Sequence, residues 1–283
     1  MTFDPDSRRA FALLAPGYLW LTAAVFLPLS AMLFFSFLSA APFTAADWHG
    51  TTANYTEFFS RSLYPQMLIR SLTLSAIVTA LCVLIGYPCA YILARQVKGR
   101  AREALFLLII LPFWSNSLVR IFSWAIVLRG NGIIDHTLEA LLPVDSSVNL
   151  MFSYSAVVIG LVHSYLPYAI LTSYLALQAI DESIIEAARV LGASFTTILV
   201  RLILPLSLPG LAAGAVLIFV PVAGSFMEPR ILGGKYGTFY GTVIEDQFVA
   251  VFNWPLGAAL SFILLAVVLV ILAVAAPVLR RAQ

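Results

Sequence analysis

The stretch AIDESIIEAARVLGASFTTILVRLILP, residues 179–205, decides how the rest of the chain is read. It lies between two long apolar segments and carries helix punctuation of its own. Asp181 or Ser183 caps a start, and Ser183 with Glu186 three residues later has the form of a capping box. Gly192 follows the apolar pair Val190-Leu191 and suits the left-handed residue that closes a helix. Ser194 opens a second helix, and Pro205 and Pro209 mark where that helix bends into the next apolar segment. A plain connector is shorter than this. The pattern predicts a helix, a glycine break and a second helix between two membrane-crossing segments. Ala187 and Ala188 let a partner's surface come close, and Ile184, Ile185, Val190 and Leu191 supply apolar contact. A helix of this kind suits a groove in another protein and transmits a rigid-body push into the segments on either side.

Outward from this loop the chain is strongly apolar. Of 283 residues, 61% are hydrophobic and 11% charged, against about 25% charged in a soluble domain. So few charges cannot cover a water-facing surface of this size, whereas a lipid-facing surface needs no such cover. The expected class is an all-α polytopic membrane protein, a single transmembrane domain over residues 1–283. A span takes roughly 20 apolar residues, and six stretches qualify: about 11–38, 68–94, 104–128, 152–177, 207–231 and 255–279. The first is too long for the apolar core of a signal peptide and is expected to be retained as a membrane helix. The net charge of +2 and the lack of a dense basic run exclude nucleic acid as a partner. Cys82 and Cys89 fall two helical turns apart, too far for a disulfide, and read as packing residues.

Orientation follows from Lys and Arg in the connections. With the N-terminus inside, ten fall in inner segments (Arg8, Arg9, Arg95, Lys98, Arg100, Arg102, Arg189, Arg201, Arg280, Arg281) and five outside or at outer edges (Arg61, Arg70, Arg129, Arg230, Lys235). This places both termini in the cytoplasm. The first outer loop, about 39–67, is mixed and polar, with Asp47, Trp48, His49, Asn54 and Glu57. The second, about 130–150, has the turn pair Asn131-Gly132. Ile133, Ile134, Leu138, Leu141 and Leu142 then follow at the spacing of a short interfacial helix. Asn253 caps the last span, with Pro255 in its first turn and Trp254 at the interface.

Glu186-Ala187-Ala188, three residues, Gly192, nine residues, Leu202, one residue and Leu204-Pro205 together resemble the EAA motif of ABC importer permeases, in which isoleucine is usual where this chain has Leu202. Other runs narrow the resemblance to the spermidine/putrescine-type permeases. Leu111-Pro112-Phe113-Trp114-Ser115-Asn116-Ser117-Leu118-Val119-Arg120 resembles part of their third span, Gly224 through Gly234 the end of their fifth, and Asn253-Trp254-Pro255 the start of their sixth, where aspartate is usual at Asn253. The resemblance runs from about residue 68 onwards. It implies the type I importer permease fold in a bacterial inner membrane, with the 179–205 loop forming coupling helices. Glu186, Ala187, Ala188, Gly192 and Pro205 would dock on an ATPase. The implied partners are a second permease, expected to be a different chain, two ATPase subunits that use ATP and magnesium, and a soluble solute-binding protein. This chain would bind no cofactor and is not expected to be an enzyme. It lacks the G-x-x-x-x-G-K-[ST] phosphate loop.

A polar solute needs polar and aromatic groups along its path. The expected lining is Trp114, Asn116, Arg120, Tyr165, Tyr168, Phe226, Met227 and Glu228. A straight third span would put Arg120 about 24 Å from its inner end at 1.5 Å per residue. There it reads either as a path-lining charge or as half of a structural ion pair with Glu228, which could instead pair with Arg230. His163 reads as a packing residue. Polyamine permeases commonly carry acids at the positions of Ser225 or Arg230. Arg230 here would repel a polycation, which opens the choice to other amino compounds. An ion-coupled secondary transporter is the competing class. It tends to carry carboxylates at the midplane and related halves, and neither is evident in the sequence. No metal-spaced His/Asp/Glu cluster or paired intramembrane carboxylates suggest a membrane enzyme. The orientation has a direct check. A cysteine placed at Lys98 should react with a membrane-impermeant maleimide only after the membrane is opened, and reaction in intact cells would reverse the topology.

Overall fold

A computed structural model describes residues 5–41, 49–130, 132 and 150–280. The expected turn at Asn131, the interfacial helix over 133–142, and Asp47 and Trp48 lie outside the described residues. Among those described there are helices and one isolated antiparallel bridge, Leu38 with Gly50. Five helices are long and apolar enough to cross a membrane, and a sharply bent pair supplies a sixth crossing if taken as one span. The chain divides into two compact units, residues 1–62 with 244–265, and residues 63–243 with 266–283.

The first unit opens with α1 (Pro5–Ser36). Leu13, Leu19, Trp20, Phe26 and Leu27 all stand exposed along it, as a helix bathed in lipid allows. Its C-terminal carbonyls are closed from outside the helix. The Asn54 amide, in α2 (Ala53–Ser60), donates to the carbonyls of Ser36 and Leu38 at 3.0 and 2.9 Å. This unit also holds most of α11 (Tyr240–Val249) and the start of α12 (Trp254–Arg280). Asn253 Oδ1 accepts from Leu256 N at 3.3 Å, the expected cap.

The second unit is organised by three helices, α3 (Leu63–Tyr91), α6 (Tyr154–Gln178) and α9 (Leu204–Ala223). Leu74, Val78, Val157, Leu161, Ile218 and Val222 bury together among them. In lipid the hydrophobic effect does not drive helices together, so close packing of small residues must. Gly210 and Gly214, four apart on α9, face Ala176 and Thr172, four apart on α6. A Cβ added at Gly214 would overlap the Thr172 hydroxyl.

The third span is not one helix. α4 (Gly99–Ile110) passes into a 3-10 turn (Leu111–Trp114), the chain extends through Ser115 and Asn116, and α5 (Ser117–Leu128) leaves at 97° to the first half. Pro112 lacks the N–H that would continue the ladder, and Asn116 Oδ1 caps α5 by accepting from Leu118 N at 2.8 Å. The expectation of an unbroken helix over 104–128 is therefore corrected, and the 24 Å depth of Arg120 goes with it. The fifth span is also shifted. It runs as one helical stretch from Phe195 to Ala223. A π-helical turn, Leu199–Ile203, ends one residue before Pro205, where a bend was expected. Gly224 ends this stretch, and residues 227–232 form a separate short helix, α10 (Met227–Leu232).

Replacing Gly214 by valine should overpack the α6–α9 seam. The expected cost is about 1–3 kcal/mol, read as earlier thermal unfolding of the purified protein in detergent. An unchanged transition would mean that the seam yields.

Candidate functional site

Two places in the second unit bring unusual groups together. The first is the 179–205 loop. Asp181, not Ser183, is the cap of α7 (Glu182–Val190), and its Oδ1 accepts from Ser183 N at 3.0 Å. That backbone hydrogen bond, aided by the Ser183 hydroxyl and opposed by slight desolvation, holds the Asp181 carboxyl below the usual carboxylate range. At the other end Gly192 has φ +80°. Its N–H donates to Arg189 O at 2.9 Å, and Ala193 N donates to Ala188 O at 3.1 Å. This pair of bonds is the Schellman closure, and its left-handed residue is the glycine. Ser194 then caps α8 (Phe195–Ile198), which continues through the π turn into α9.

α7 has two faces. Ile185 is buried, and Ala188 is half-buried in a cluster with Leu93, Ala94, Ile198 and Ile203. Glu186 and Ala187 face outward, and Val190 and Leu191 are 88% and 86% exposed. Of the residues expected to contact a partner, Glu186, Ala187, Val190 and Leu191 are therefore presented. Ile184 is partly exposed, while Ile185 and Ala188 turn inward and Gly192 shapes the end. Pro205 is exposed in the first turn of α9.

The charge pattern alone does not show what Arg95 does. It sits in a π-helical turn, Ile92–Gln96, at the end of α3. Its Nη2 donates to the carbonyls of Leu177 and Ile180 at 2.7 and 2.9 Å, and its Nη1 bonds Glu182 Oε2. Arg102 likewise donates from Nε to Val97 O at 2.8 Å. Both arginines read from sequence as orientation signals only.

The second place is the break in the third span. The Pro112 carbonyl receives Arg120 Nη1 at 3.0 Å, Ser115 Oγ at 2.7 Å and Ser115 N at 3.2 Å. Arg120 thus caps the broken end, and no ion pair joins it to Glu228 among the described residues. Glu228 Oε2 instead accepts from Ser225 Oγ at 2.8 Å, on the short helix beyond span five. Tyr168 stacks edge-on with Phe113 at 4.6 Å and lies 5.9 Å from the Tyr165 ring. Trp114 stands 90% exposed, Asn116 is spent as a cap, and Phe226 and Met227 are part-exposed at the start of α10. A recess of about 350 Å³ opens beside the break, lined by Pro112, Ser115, Arg120, Ser123, Trp124 and His163. His163 packs edge-on against Trp124 at 5.3 Å.

A profile of the family described as "Binding-protein-dependent transport system inner membrane component" matches residues 83–282. The spermidine/putrescine transport system permease protein PotB of Escherichia coli (strain K12) is 38% identical over 245 residues, covering 87% of this chain and 88% of that one. The fold resembles a chain of a bacterial ABC transporter involved in import of the acidic polysaccharide alginate, with TM-score 0.75, 18% identity, and 98% and 97% of the two chains covered. It also resembles a chain of the MetNI methionine ABC transporter, with TM-score 0.59, 16% identity, and 79% and 99% covered.

The Asp181 cap makes a pH-dependent prediction. Its folded pKa lies below the ordinary value, so its stabilisation of α7 is present above that value and is lost as pH falls through the folded one. Asp181→Ala should speed amide exchange in α7 at neutral pH, and the difference from the parent should close below about pH 4. Asp181→Asn, which still caps, should keep most of the protection.

Proposed function

This chain belongs to the family of binding-protein-dependent transport system inner membrane components, and from that premise we propose that it is one of two permease subunits in an ATP-driven importer. The single observation that carries the reading is α7, a capped and glycine-closed helix that presents Glu186, Ala187, Val190 and Leu191 outward while Ile185 and Ala188 anchor it. Exposed valine and leucine beside a carboxylate, on a short helix between two spans, suit docking in a groove of a cytoplasmic protein. An ATPase subunit fills that role. Glu186 and Ala187 are its contacts, Ala188 and Gly192 hold the helix in shape, and Pro205 marks where the push enters α9. ATP and magnesium belong to the ATPase pair. A solute-binding protein delivers the solute on the opposite side of the membrane, and both chain termini are cytoplasmic.

The solute we propose is a small amino compound of the spermidine/putrescine class. The extended similarity to a permease named for those solutes supports this. So do the neighbouring Tyr165 and Tyr168 rings, 5.9 Å apart, since aromatic faces suit an ammonium group. Arg230 has interactions within the fold, which weakens the like-charge argument against a polycation.

The test uses the full complex in proteoliposomes. Micromolar spermidine or putrescine should enter only with ATP inside the cytoplasmic compartment. Glu186→Lys should leave the protein in the membrane and cut uptake at least about tenfold, the equivalent of ~1.4 kcal/mol of docking. Uptake independent of ATP and abolished by an uncoupler would establish the secondary-transport reading instead. Uptake of amino acids in preference to polyamines would move the solute class.

A further inference from the structure

We propose that Arg95 is a positioning residue that couples the movement of α7 to the end of α3, so that the second span is driven along with the fourth and fifth. The proposal rests on the reading of α7 as the ATPase-docking helix and adds a route that its flanking sequence does not suggest.

The geometry is specific. The last carbonyls of a helix have no partner within it, and they carry the negative end of the helix dipole. Arg95 reaches from the π turn after α3 to the Leu177 carbonyl in the last turn of α6 and the Ile180 carbonyl two residues beyond it, and with its other nitrogen to Glu182 in the first turn of α7. One side chain, 14% exposed, therefore joins three elements. Guanidinium has the planar spread of donors this requires, whereas an ammonium is a single point of charge. The backbone that aims it is a π-helical turn, a local departure from α-helix that often marks a functional position.

Apart from this latch, α7 is held mainly by Ile185 and Ala188 against the cluster that includes Leu93 and Ala94 of the same turn. Beside the latch lies a recess of about 290 Å³, bordered by Tyr91, Gln96, Arg189 and Phe195. α7 thus has one firm polar tether and open space next to it. A push on its outer face is resisted at Arg95 and taken up elsewhere, which transfers the displacement to the end of α3. Because α3 packs along α6 and α9 through the buried core, the three helices then move as a body.

The experiment compares solute uptake with ATP hydrolysis in the reconstituted complex for Arg95→Lys and Glu182→Gln. Arg95→Lys should leave binding-protein-stimulated hydrolysis within about twofold of the parent and lower uptake per ATP about tenfold, within the usual range of coupling between sites. Glu182→Gln keeps both carbonyl bonds and should lower the ratio less, about threefold. An unchanged ratio in both variants would overturn the proposal, as would uptake and hydrolysis falling in equal proportion. If Arg95→Lys does not assemble, Glu182→Gln decides by the same ratio. A parent complex whose uptake ignores ATP would instead count against the importer reading itself.

Discussion

Backbone polar groups inside lipid must find partners within the protein, and each departure from regular helix here is met by a specific donor or acceptor. The third span shows this most directly. Pro112 stops the ladder, and where the chain then turns out of the helix the Pro112 carbonyl takes bonds from Ser115 and from the Arg120 guanidinium. The N–H groups at the start of α5 are met by Asn116. A charge that would be costly on a lipid-facing helix is turned toward the carbonyl at the break, where it joins the two Ser115 donors. Outside the lipid the same need arises at helix ends, and Asn54 meets it after α1 and Arg95 after α6.

Close packing of the second unit follows from a related limit. With lipid as apolar as any side chain, α6 and α9 associate through Gly210 and Gly214 set against Ala176 and Thr172. Such a seam resists small continuous deformation, because the backbones are already near contact. Motion delivered at one end of α9 is then passed along the pair as displacement of a body. The docking role proposed for α7 depends on that property, since a helix attached to a soft bundle would spend its push on local rearrangement.

Much of this was legible in the sequence because it is local. Gly192 after Val190-Leu191, Asn253 before Trp254-Pro255 and the apolar run of span four each announce themselves within a few residues, and the structure places them within one or two positions. The break at Pro112 was written there too, in Pro112 followed by Ser115-Asn116, but a hydropathy average over some twenty residues smooths across it. The pairing of Arg120 with Glu228 failed for a different reason. Opposite charges in nearby spans suggest one another, yet a neutral carbonyl eight residues away had the prior claim. Arg95 was beyond sequence reading. Its partners lie 82 to 87 residues further on, and nothing about Leu177 or Ile180 marks their carbonyls as acceptors.

The EAA stretch takes on a division of labour once its faces are separated. Ala188 lends its carbonyl to the Schellman turn, and its small side chain sits against the inner cluster. Gly192 is glycine because φ is +80° there, where a side chain would be strained. Neither requirement involves a partner. Glu186 and Ala187 have no comparable duty among the described residues, and Val190 and Leu191 expose apolar surface without gain to the isolated fold. Residues that cost the monomer something, or do nothing for it, are the ones whose presence calls for a second surface. In α7 those residues share one face, while those that the fold itself demands share the other.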